Sequence, residues 1–184
     1  MTGRTLNRAV ALTVALNVGL CGTAQVQRQQ SRDAVNWLSE KLRTFGGFTV
    51  KFKIDTPSVV GTSWQSHHWS LSSSGCRIRV EHQDGSHDAL QAYLGDLDPT
   101  GIKVEQIDVL RAADLPKGTT IVSGPRYVYQ VTALTKNQEH KVVVLASDNT
   151  TGRSNGVYFT FTDSDTAQRA AKALAVAING CQKR

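Results

Sequence analysis

Residues 31–45 place Val35, Leu38, Leu42 and Phe45 at spacings of three and four, with Arg32, Asp33, Glu40, Lys41 and Arg43 between them. One apolar stripe on a 3.6-residue period predicts an amphipathic helix, bordered by Trp37 and stopped by Gly46-Gly47. After the glycines the period becomes two. Phe48, Val50, Phe52 and Ile54 alternate with Thr49, Lys51, Lys53 and Asp55, which predicts a half-buried strand. Residues 64–71 and 76–83 predict a second and third strand around Ser72, Ser73, Ser74 and Gly75. A turn centred on Ser73 and Ser74 would set Leu71 opposite Cys76, Trp69 opposite Ile78 and His67 opposite Val80, all on one face.

Further strands are predicted near 89–94, 102–110, 127–135, 141–146 and 157–162. Asp84-Gly85, Pro99-Thr100-Gly101, Pro116-Lys117-Gly118 and Asn155-Gly156 punctuate them. The chain closes with a helix after Asp163-Ser164-Asp165, where Asp165 as N-cap with Gln168 three positions later makes a capping box. Ala167, Ala170, Ala171, Leu174, Ile178 and Cys181 form its apolar stripe, and Gln168, Arg169 and Lys172 face elsewhere. No repeat and no linker divides residues 25–184, so one domain is expected. Its class is α+β, mainly β: an N-terminal helix, about seven antiparallel strands in meander order, and a C-terminal helix.

In order and pattern, three segments resemble small secreted bacterial proteins with a pleckstrin-homology-like barrel. They are the Trp69 to Val80 hairpin, the Asp96-Leu97-Asp98-Pro99 turn leading to Ile102-Lys103-Val104, and the run from Val157 to Cys181. The resemblance implies a partly open barrel whose C-terminal helix plugs one end. It carries no catalytic signature, and the lipid-head-group binding of eukaryotic relatives does not transfer to an exported bacterial protein.

The N-terminus follows a different logic. Arg4 and Arg8 precede an uncharged stretch, residues 9–22, rich in Ala, Val and Leu. Basic then apolar is the order of a secretory signal peptide, and the stretch is too short to span a bilayer. Gly22 and Ala24 place small residues three and one positions before a cut near Ala24, so residues 1–24 are expected to be removed. Lipidation at Cys21 would need a small residue before it, and Leu20 stands there. Cys76 and Cys181 then remain in a chain bound for a secreted or periplasmic space, where one disulfide between them is the economical expectation.

Composition excludes further classes. The 184 residues are 40% apolar and 20% charged, with 15 Gly and 4 Pro, unlike collagen-like or disordered chains. There is no GxSxG, SxxK, HExxH, Walker or GxGxxG motif, and Gly61-Thr62-Ser63-Trp64-Gln65 lacks the second glycine of a nucleophile elbow. His67 and His68 leave opposite faces of a strand. His82 and His87 could converge with Asp84 on a metal, but turn chemistry explains that loop as well. Asp96 with Asp98, and Asp163 with Asp165, read as turn and helix-cap residues. Asn149-Thr150-Thr151 is a glycosylation sequon in pattern, relevant only in a eukaryotic secretory route. Neither catalytic residues nor a metal or cofactor are therefore expected.

Strand parity points Lys51, Lys53, His68, Arg77 and Arg79 outward, with Trp64 beyond them as an aromatic anchor. A cluster of these groups would attract an acidic partner, though Glu81 and Asp55 lie near enough to neutralise part of it. Net charge is +6, and +4 once Arg4 and Arg8 are gone. That modest value and the export signal disfavour nucleic acid. The expected function is an exported, non-enzymatic binding or assembly module presenting a basic sheet face or barrel edge to another protein or an anionic envelope polymer. One alternative is a carrier with an apolar ligand inside the barrel, against which Phe48, Phe52, Trp69, Ile78, Val80 and Phe159 count as bulk that fills it. The other is a hydrolase with an unrecognised His/Asp site.

Overall fold

The stripe of Val35, Leu38 and Leu42 is buried as its spacing requires. The helix carrying it, α1 (Leu6–Phe45), ends where the Gly46 N–H closes a last bond on the Leu42 carbonyl at 2.8 Å. The computed structural model describes residues 6–56, 60–83, 87–113, 115–148 and 150–182, with the side chains of 6–24 and 87 left aside. Helix α1 thus begins well before residue 31, because the Ala- and Leu-rich stretch ahead of it has high helix propensity. Its side chains at 25–30 are all exposed, and burial starts at Ser31.

Ten strands follow among the described residues, with a closing helix. They are β1 (Phe48–Asp55), β2 (Val60–Ser74), β3 (Arg77–Gln83), β4 (His87–Tyr93), β5 (Leu97–Asp108), β6 (Thr120–Ser123), β7 (Tyr127–Thr135), β8 (Val142–Leu145), β9 (Thr151–Ser154) and β10 (Gly156–Phe161). A one-turn helix, α2 (Val109–Ala112), follows β5, and α3 (Ser164–Cys181) ends the fold. The class is α+β, mainly β, as expected. The strands make an antiparallel seven-stranded sheet in the order β6-β1-β2-β3-β4-β8-β9 and a three-stranded sheet β10-β7-β5, not closed into a full barrel. The short strands β6 and β9 carry no alternating run long enough to be read in advance.

Strand β2 changes partner along its length. Residues 60–67 pair with β1 and residues 68–74 with β3, so β1 and β3 flank opposite edges of different halves. The hairpin register also differs from expectation. Ser74 faces Arg77, Leu71 faces Val80 and Trp69 faces His82, whereas a Ser73-Ser74 turn would have set Leu71 against Cys76. The loop is Gly75-Cys76, with Gly75 at φ +60°, the left-handed conformation that the first position of a II′ turn needs and glycine adopts without strain. The turn lies two residues later, which moves the register by four, and an even step keeps every side chain on its face. Trp69, Leu71, Ile78 and Val80 are therefore buried as predicted.

The apolar residues form two cores. The main one joins Leu38 and Leu42 of α1, the inner residues of β2 to β4, Phe159 and Phe161 of β10, and Leu174 and Ile178 of α3. A satellite gathers Val50, Phe52, Val109 and Val128, with Ile107 and Ile121 packed against them. Helix α3 is capped by Asp163, whose carboxylate accepts the Thr166 N–H at 2.7 Å. Asp165 instead sits in the first turn, because only Asp163 keeps the extended backbone of a cap (φ −128°, ψ 146°). The predicted stripe is buried apart from Ala171, which is half-buried, and Ala177 joins it. Cys76 and Cys181 are bonded, with Cα atoms 5.6 Å apart. Beside them α1 and α3 cross closely: the Ser31 hydroxyl donates to the Ala177 carbonyl at 2.9 Å, and a Cβ on Gly180 would stand 2.5 Å from that of Ser31.

Candidate functional site

The outer face of the seven-stranded sheet can be read from register. Arg77 lies between Ser74 and Tyr93, and Arg79 between Ser72 and Gln91. With Lys141 these residues line an open groove of about 570 Å³. Its charges differ in what neutralises them. Arg79 donates to Glu81 at 2.6 Å. Lys141 pairs with Glu139 and approaches Asp96 at 3.9 Å; the hydrogen bond with Glu139 raises the lysine's pKa and lowers that of the glutamate. Arg77 is exposed and has no ion pair among the described residues.

Lys51, Lys53 and Trp64 lie elsewhere. Lys51 stands 4.6 Å from the centroid of the Trp64 ring, directly across from it in register, so the exposed indole serves as a cation–π partner. Lys53 pairs with Asp55 at 3.4 Å. Trp64 and Ser72 are eight residues apart on β2, about 26 Å at the rise of an extended strand. The partner change in β2 therefore separates the two lysines from the two arginines, which strand parity alone would have joined. His68 belongs to neither pair. It is on the outer face, but its Nδ1 lies so near Gly47 that a Cβ there would come within 2.8 Å.

Tyr93, Gln91, Lys141 and the serines complete the arginine groove and were not singled out from sequence. The signal that could have found them is Gly75, because placing the turn there fixes which residues flank Arg77 and Arg79.

On the inner face the same register brings two histidines together. The His67 Nδ1 and His82 Nε2 are 3.0 Å apart, the ring centroids 5.3 Å apart and the planes within 9°, so the rings lie edge to edge in nearly one plane. One donates an N–H and the other accepts it. Phe48 stacks on His67 at 4.8 Å and Trp69 on His82 at 4.1 Å. Asp84 lies outside the described residues, as does the side chain of His87, so the His82, His87 and Asp84 arrangement is not placed. Among the described residues no three His, Cys, Asp or Glu side chains gather in a way that could hold a metal ion. Asn149 also lies outside them.

The aspartates behave as local turn and cap groups. Thr100 donates its hydroxyl at 2.7 Å and its amide at 2.9 Å to Asp98, which lowers that carboxyl's pKa. Asp148 is held the same way by Thr150. No family model matches the chain, and no curated protein matches it at a significant level. No described helix is long and apolar enough to cross a membrane.

Proposed function

We propose that the chain is an exported, non-enzymatic binding module whose outer sheet groove holds a ligand bearing anionic groups. The observation that carries this reading is Arg77, a guanidinium exposed at the groove without an ionic partner among the described residues, beside Arg79, Lys141 and Tyr93. A guanidinium presents a planar fork of donors that matches a carboxylate in two parallel bonds. The groove also lies outside the core. Phe52, Phe159 and Val80 are fully buried in the interior, which favours a surface ligand over an enclosed apolar one. Export is supported by the basic-then-apolar N-terminus and by the Cys76–Cys181 bond, which persists in oxidising compartments.

Titration of the exported protein with tri-galacturonate, followed by NMR, tests the reading. Shifts should concentrate at Arg77, Arg79 and Tyr93, and Arg77→Glu with Arg79→Glu should abolish them in a protein whose circular dichroism is unchanged. Shifts that survive the double substitution overturn the assignment.

A further inference from the structure

A second groove, of about 730 Å³, opens on the other side of the hairpin tip. Ser73 and Tyr93 line both grooves, so the two meet there. Cys76 and Cys181 lie in the second groove, with α1 on one flank and the end of α3 at Gly180 and Gln182 on another. The α1 flank presents Arg28, Arg32 and Asn36, which recur every four residues and so share one helix face. Arg28 and Arg32 are exposed, and neither has an ion pair among the described residues. The combined trough has cations in both halves, Arg77, Arg79 and Lys141 on the sheet and Arg28 and Arg32 on the helix. Gly95 keeps Tyr93 at the junction, since a Cβ there would come within 2.6 Å of the ring.

We infer that the trough holds a linear polysaccharide bearing carboxylate groups, laid from Arg77 and Arg79 across the hairpin tip to Arg28 and Arg32. This rests on the reading that the sheet groove binds anions, and adds the ligand's class and its second contact. Each groove alone has the volume of a small-molecule site; two that meet at the hairpin tip, with charge in both, fit a chain. An acidic peptide fits less well. The trough runs over a sheet face and a helix seam, so it lacks the row of unpaired backbone groups by which a sheet edge takes an extended peptide. Its neutral polar lining is side-chain hydroxyl and amide, including Ser72, Ser74, Gln91, Asn36 and Gln182, which suits sugar hydroxyls. Tyr93 supplies a ring at the crossing point for the C–H face of a pyranose.

The test is calorimetric titration of the disulfide-intact protein with oligogalacturonates of increasing length. Malto-oligosaccharides serve as neutral controls and oligoglutamates as peptide controls of matched charge. Affinity should rise at least tenfold between the trisaccharide and oligomers long enough to reach both halves, with no binding of the neutral series. Arg28→Glu with Arg32→Glu should remove that gain and leave trisaccharide binding intact; Arg28→Gln with Arg32→Gln, which only neutralises, should remove most of it. Arg77→Glu with Arg79→Glu should remove both. Affinity independent of length, or unaffected by the helix substitutions, overturns the trough and leaves the sheet groove standing. Binding unaffected by the sheet substitutions overturns the groove reading itself. Failure to bind any oligogalacturonate, or oligoglutamate binding as tightly with the same length gain, overturns the assignment to polysaccharide.

Discussion

Leu71 and Phe52 both project from the inner face of the seven-stranded sheet, and β2 belongs to both of their neighbourhoods, yet the two are held in different ways. Around Leu71 the sheet is covered by two long helices, and a disulfide fastens α3 to the β2–β3 hairpin. Around Phe52 the cover is the Ile107 end of β5, the Val128 end of β7 and a one-turn helix, and the buried set is Val50, Phe52, Val109 and Val128. The same alternating pattern thus yields a cross-linked region and a lightly covered one. Burial of individual side chains does not separate them, since Phe52 is as inaccessible as Leu38. The long helices and the cross-link over one of them do, and these set how readily a region opens by itself.

The largest effect should come from the cross-link. Cys76→Ser with Cys181→Ser releases a loop with a sequence separation of 105; the chain-entropy model gives a loss of about 4 to 5 kcal/mol, measurable by urea unfolding. Next, Leu174→Ala should cost about 3 kcal/mol and lower amide protection throughout the molecule. Phe52→Ala should instead strip protection from β1 and β6 while α3 amides keep theirs, and equal loss in both regions would erase the distinction between the cores. Smaller again, Gly124→Ala should cost about 1 to 3 kcal/mol. Gly124 has φ +98°, and a Cβ there collides with the Thr49 carbonyl, so β6 should part from β1 with little change in α3 exchange.

The smallest effect concerns acid. Burial pushes the Asp108 carboxyl up, but its bonds from Arg126 and from the Leu110 amide outweigh that and leave it lowered. A lowered carboxyl stabilises the fold above its unfolded pKa, and that contribution is lost as pH falls through the folded value. Below the ordinary aspartate range, then, the satellite's α2 cap should loosen before the main core does. Hydrogen exchange across that range tests the order; simultaneous loss in both regions would contradict it.

Much of this division was legible in the chain. The spacing of Val35, Leu38 and Leu42, the alternation from Phe48 to Ile54, and the alanine stripe leading to Cys181 each report a local period, and local periods survive folding. The pairing of Cys76 with Cys181 followed from the expectation that export removes Cys21 and leaves two cysteines. Positions of strands relative to one another are not local. The partner change in β2 arises because its 15 residues outrun β1, and no alternation records where one neighbour gives way to the next. That is why strand parity assigns Lys51 and Arg79 to one cluster that the sheet pulls apart. The hairpin offset was legible in part, because Gly75 was visible while the serines before it drew the turn two residues too early. The pairing of His67 with His82 and the place of Tyr93 in the groove both follow from that offset.

The position of Cys76 inside the loop has a consequence for assembly. Moving the turn by two residues changes the register by four and slides one strand about 13 Å along its neighbour, whereas bonded cysteines must keep their Cα atoms within roughly 7 Å, against the 5.6 Å of the native bond. A misaligned hairpin keeps its apolar residues facing inward and so escapes the discrimination that hydrophobic burial provides. It cannot, however, present its thiol to Cys181 at bonding distance. Oxidation therefore acts as a proofreading step, sealing chains whose turn has closed at Gly75 and leaving misaligned ones free to open and try again.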